Sequence, residues 1–127
     1  MNNMSAWLVQ KLLNREGPQY ASIREYDSGQ NIFRVGDPGE YLAVLLSGSV
    51  EIRKDGKLLL VVEHGGMFGE MGLIDGQPRS ADAEARSHCQ IAEIRERQFL
   101  ALIEATPHFS LAVMRILTER LRRHIES

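Results

Sequence analysis

The sequence predicts a mainly β fold, an antiparallel barrel or sandwich flanked by helices. Three observations carry that expectation. Apolar residues recur at helical spacing only near the two ends of the chain. The stretch between them, from Tyr20 to Arg95, breaks into brief β-prone runs separated by Gly, Asp and Pro. Asp55-Gly56 stands between two of those runs as a tight-hairpin signal, because glycine accepts the positive φ that such turns demand.

Taken in order, Leu8, Val9, Leu12 and Leu13 mark a short leading helix from Ser5 to about Leu13, which Gly17-Pro18 ends. The runs ASIREY, NIF, YLAVLLS, SVEIRK, KLLLVVE and QIAEIR read as strands, with Gly36, Gly39 and Gly48 at other corners. After Arg95 the helical period returns over Arg97 to Ala105. It resumes beyond the Thr106-Pro107 break from His108 to Ile125, so two helices close the chain.

At 127 residues and 43% hydrophobic, the chain is long enough for one core and too short for two ordinary domains. Its formal net charge of -2, with both signs interspersed, gives no field that would draw nucleic acid. The single Cys89 has no internal disulfide partner, and Lys11 and Arg15 interrupt the opening segment before it reaches signal-peptide length. A reducing cytoplasm is the simplest expected setting. No run approaches the roughly 20 apolar residues of a membrane span, so no direct membrane contact is expected.

The most informative segment is FGEMGLIDGQPRSADAEA, Phe68 to Ala85. Gly69 lets the backbone approach a ligand closely, and free amides at the start of a helix near Glu70 can donate to an anion. Arg79 adds a planar, permanently charged fork that suits phosphate oxygens. A carboxylate such as Glu70 beside a phosphate makes sense only if it accepts a hydrogen bond from a neutral group of the same ligand, for example a ribose hydroxyl. A nucleotide offers that mixture.

The segment resembles the phosphate-binding cassette of the cyclic nucleotide-binding domain family. Phe68-Gly69-Glu70, Leu73, Gly76, the Pro78-Arg79-Ser80-Ala81 corner and Ala85 fall where that pattern wants them, and Gly36 to Ile52 resembles the family's early strands and turns. The resemblance implies a leading helix over residues 1–19, then a jelly-roll-like β-roll of eight strands over 20–95 with the cassette at 68–85. A hinge helix and a final helix follow over 96–127. It implies that Arg79 pairs with a cyclic phosphate, that Glu70 accepts from the ribose 2′-hydroxyl, and that the backbone of Gly69, Ser80 and Ala81 donates to phosphate. Phe68, Met71 and Gly72 belong to the same binding segment, and Leu73 and Ile74 are assigned to coupling. Ser80, neither the threonine of guanine-preferring members nor alanine, leaves the base open, and cAMP is expected ahead of cGMP, with no other cofactor.

Simpler roles stand beside these. Arg79 could instead pair with Asp75 or Asp82 on the surface, Glu70 could serve only the helix dipole, and Leu73 and Ile74 could be core. Phe109, Val113, Ile116, Leu117, Leu121 and Ile125 form an apolar stripe for packing on the barrel or for dimerisation. Arg115, Arg120, Arg122 and Arg123 read as solvated charges paired with Glu119 and Glu126, or else Arg122 or Arg123 stacks on the base as a lid. His64, His88, His108 and His124 lack metal-site spacing, Cys89 reads as a small buried hydrophobe, and no nucleophile stands with a base.

The expectation is therefore a stand-alone, non-enzymatic cyclic nucleotide sensor. A partner protein, a homodimer through the last helix, or a segment beyond Ser127 would receive its signal. A nucleotide-independent interaction module and a metal-using β-roll enzyme are the alternatives.

Overall fold

The computed structural model describes residues 6–14 and 16–126, without the side chains of residues 6–8 and 124–126. Its elements are α1 (Ala6–Leu13), β1 (Ser22–Tyr26), β2 (Asn31–Phe33), β3 (Tyr41–Ser47), β4 (Val50–Lys54), β5 (Lys57–Val62), β6 (Met67–Phe68), α2 (Glu70–Asp75), β7 (Asp82–Ala85), β8 (Cys89–Arg95), α3 (Glu96–Ala105) and α4 (His108–Glu126). The strands form two four-stranded sheets, ordered β1-β8-β3-β6 and β2-β7-β4-β5, in which each pairing is antiparallel. This is the antiparallel β-roll with flanking helices that the sequence predicts.

Two apolar clusters hold it together, and the pleat of β3 and β8 feeds both. Side chains alternate across a strand, so Leu42, Val44 and Leu46 of β3 point to one face and Ala43 and Leu45 to the other. The first set meets Ala92 and Ile94 of β8, Val9 and Leu12 of α1, Leu102 of α3, and Phe109, Val113 and Ile116 of α4. The second fills the roll interior with Phe33, Val50, Phe68, Ala83, Ala85, Cys89 and Ile91. Strands covered on both faces read as continuous apolar runs, which is why YLAVLLS shows no alternation. Fully burying a side chain such as Leu45 contributes about 1.5–3 kcal/mol.

The Asp55-Gly56 signal is realised as a two-residue hairpin between β4 and β5, with φ of 52° and 76° at its two central residues. Two short strands bound what reads as cassette, β6 ending on its first residue, Phe68, and β7 on its last, Ala85. β6 is two residues long, and β7, DAEA, buries only the small Ala83 and Ala85 against the roll. No single helix among the described residues is long and apolar enough to cross a membrane.

The expected stripe on α4 divides. Phe109, Val113 and Ile116 are buried against the roll, Leu117 is half-buried, and Leu121 is exposed. Leu8, Ile125 and His124 lie outside the described side chains.

Candidate functional site

α2 is a single short helix, and Gly69 gives it its entry. That residue sits in the left-handed region at φ 75° and ψ 10°, so it turns the chain from β6 into the helix without a side chain. A Cβ there would lie 2.7 Å from Arg79 Nη1, so the glycine also makes room for the arginine.

Arg79 comes from the loop between α2 and β7, which the loop between β2 and β3 holds. Its amide donates to the Asp37 carbonyl at 2.8 Å, and its own carbonyl accepts from the Gly36 amide at 2.9 Å. The side chain then runs inward and is only 4% exposed. Nη1 donates to the Gly69 carbonyl and Nη2 to the Tyr41 carbonyl, each at 2.7 Å, while the buried Nε has no partner among the described residues. The pairings with Asp75 or Asp82 do not form: those carboxylates accept from the amides of Gln77 and Val35. Burial pulls the guanidinium below its ordinary pKa, while Tyr41 and Glu70 oppose that pull. Tyr41 moves the other way, to about 12, through burial and the nearby Glu93.

Glu70 opens α2 and is 3% exposed. Its Oε1 accepts from Arg120 Nη1, and Oε2 is buried without a partner among the described residues. Arg120 reaches down from α4, and its Nη2 also donates to the Met67 carbonyl.

These residues converge on one cavity of about 290 Å³. Phe68, Gly69, Glu70, Met71 and Gly72 line it from the α2 side, and Arg79, Ser80 and Ala81 from the following loop. Phe33, Ile52, Leu59 and Leu60 give an apolar wall, and Arg120 closes the α4 side. The space thus offers a cation, a carboxylate and an apolar face together. Leu73 is half-buried against the helix-side core, whereas Ile74 is exposed.

The structure brings eight of the sequence-selected residues to the cavity and leaves two away from it, because Arg122 and Arg123 do not line it. Arg123 pairs with Glu119 at 3.2 Å, the i,i+4 contact read as the simpler role, and Arg122 is exposed. The arginine of α4 that reaches the site is Arg120, and its signal is the barrel-facing period itself. Phe109, Val113, Ile116 and Arg120 step by four, three and four, so the stripe that packs α4 on the roll ends on this arginine.

Elsewhere, His88 bridges Asp27 and Glu25 at 3.3 and 3.2 Å, and Cys89 is buried. No group of three or more His, Cys, Asp or Glu side chains among the described residues is placed to hold a metal.

The family model described as the cyclic nucleotide-binding domain matches residues 23–106. The cAMP-activated global transcriptional regulator CRP of Pasteurella multocida is 36% identical over 109 residues, 81% of this chain and 52% of the regulator. The chain thus spans about half the length of the curated relatives it matches. Among solved structures, the catabolite activator protein of Thermus thermophilus superposes with a TM-score of 0.76 at 33% identity, over 83% of this chain and 52% of that one. An EAL enzyme in its cAMP-bound form matches with a TM-score of 0.60 at 33% identity, over 81% of this chain and 29% of the enzyme.

Proposed function

Because the chain belongs to the cyclic nucleotide-binding domain family, we propose that it captures a cyclic nucleotide in this cavity, cAMP ahead of cGMP, and relays occupancy through α3 and α4. The observation that carries this reading is a complementary pair of unmet needs: among the described residues, buried Arg79 Nε lacks an acceptor and buried Glu70 Oε2 lacks a donor. A phosphate oxygen answers the first and a ribose hydroxyl the second. Amides of Gly69, Ser80 and Ala81 are the further phosphate donors. Leu59, Leu60 and Ile52 supply the apolar surface on which a purine lies.

The relay runs through Arg120. It holds Glu70 and the Met67 carbonyl from α4, so a ribose that claims Glu70 changes what α4 is tied to. Leu73, packed against the helix-side cluster, carries movement of α2 to the same helices. The output is binding-linked, not catalytic. The name of the Pasteurella multocida regulator supports cAMP as the ligand, and Ser80 at the cavity wall is the residue that would also accept a guanine amine.

Calorimetric titration of nucleotide-free protein with cAMP and with cGMP tests this. Binding at about micromolar or tighter is expected, with cAMP the stronger. A linear 5′-monophosphate brings more negative charge beside Glu70 and is expected to bind more weakly than the cyclic form; equal affinity would refute that role of Glu70. No heat and no thermal stabilisation with either cyclic nucleotide would point to an interaction module instead.

A further inference from the structure

We infer that Phe33 and Tyr41 are positioning residues for Arg79: their rings form an aromatic corner that fixes the guanidinium and leaves one donor edge free for the ligand. The inference rests on the reading of the cavity as a cyclic nucleotide site.

The Arg79 guanidinium carbon lies 4.1 Å from the centre of the Phe33 ring and 4.7 Å from that of Tyr41. The two rings are 6.5 Å apart and meet at 70°, so the cation sits in the angle between them. A desolvated cation beside ring faces is held more strongly than an exposed one. On the remaining sides the group is confined by backbone. Added Cβ atoms at Gly69 and Gly72 would lie 2.7 and 3.2 Å from Nη1, and the Gly69 and Tyr41 carbonyls take one donor each from Nη1 and Nη2.

A guanidinium has five N–H donors in one plane. Two are committed to carbonyls, and among the described residues the buried Nε has no partner. A phosphate therefore meets a fork whose orientation is already set, and the rotamer freedom that a loose arginine would lose on binding is lost beforehand. Tyr41 is itself held from outside: Arg95 lies 5.6 Å from its ring and pairs with Glu40 at 3.1 Å.

Of the two rings, Phe33 lines the cavity and Tyr41 does not. A change at Tyr41 can reach the ligand only through what it touches, which makes it the cleaner probe. Calorimetry with cAMP is expected to show affinity falling about threefold to thirtyfold in Tyr41→Leu. Tyr41→Phe, which keeps the ring, should restore it. In an Arg79→Lys background, which has no planar fork to orient, Tyr41→Leu should produce no further loss. An unchanged affinity in Tyr41→Leu, or the same fold-loss in both backgrounds, would overturn the inference.

Arginine side-chain NMR of the ligand-free wild-type chain decides the matter without a substitution. A held guanidinium shows separate Arg79 Nη signals shifted by ring current, whereas a single averaged, unshifted signal refutes the corner. If the wild-type chain takes up neither cAMP nor cGMP, the proposed function fails, and this spectrum still tests the corner by itself.

Discussion

The β3–β8 ribbon and the Glu70 and Arg79 side chains of the cassette are buried to nearly the same depth, yet the ribbon is mostly apolar and those two side chains are charged. In the ribbon, Leu42, Val44, Leu45, Ile91 and Ile94 are fully buried, and their backbone groups are matched along the antiparallel ladder. In the cassette, a carboxylate and a guanidinium, those of Glu70 and Arg79, are buried beside Phe68, and among the described residues the buried side-chain atoms without partners are Glu70 Oε2, Arg79 Nε and Arg120 Nε. Leaving such an atom unpaired costs about 1–3 kcal/mol. Among the described residues the unmet polar needs thus gather at one cavity, and that contrast is what supports placing a ligand there.

Substitutions can break or sharpen the contrast. The largest effect is expected at Leu45, where truncation to alanine leaves a hole in the roll interior. Chemical denaturation should show a loss of about 2–5 kcal/mol, while the protein that remains folded binds cAMP with wild-type affinity. A matching loss of affinity would mean that the two regions are not separable.

Arg79→Ala acts on the other side of the comparison. It should weaken cyclic nucleotide binding about tenfold to a hundredfold, the range set by one charge-assisted hydrogen bond. Titration would check it, and unchanged affinity would remove Arg79 from the site.

Gly69→Ala should fall on both sides at once. The left-handed backbone costs an alanine about 1–2 kcal/mol, and its Cβ would press on Arg79 Nη1. Melting temperature and affinity should therefore both drop, whereas loss of only one would uncouple the turn from the arginine.

The smallest effect is expected at His88, an exposed imidazole between Asp27 and Glu25 whose pKa those two partners raise, Asp27 most. A raised folded-state pKa contributes stability that is fully present below the ordinary histidine value of about 6.5 and is lost as pH rises through the folded value. The melting difference between wild type and His88→Gln should be greatest in mild acid and close above neutrality. A difference that grows with pH would mean that the imidazole is not held as a cation.

The sequence makes the frame readable because most strands are long enough to carry their own signal. SIREY, YLAVLLS and VEIRK fall inside the runs that read as strands, CQIAEIR extends QIAEIR by one residue, and the helices break at Gly17-Pro18 and Thr106-Pro107 as the sequence predicts. β6 and β7 were not separable from the cassette, since two residues have no period and DAEA uses small and acidic residues that disfavour strands. At the site, Glu70, Arg79 and the glycine turn were legible in composition and spacing. The aromatic corner was not, because Phe33 and Tyr41 lie far from Arg79 in sequence and meet it only through the roll. Arg122 and Arg123 enter as candidates to stack on the base, but only the phase of α4 on the roll distinguishes Arg120 from its neighbours.

That phase makes α4 a gauge of both angle and height. Phe109, Val113 and Ile116 seat the helix, and Arg120 must then arrive one turn further on at the Met67 carbonyl and Glu70. One residue inserted after Ile116 would swing the guanidinium about 100° around the axis, and a full turn would restore the angle but lift it about 5.4 Å. Any protein that extends this helix to drive a further segment inherits a fixed rotational origin, so an added module's bearing relative to the cavity is set by counting residues from Arg120.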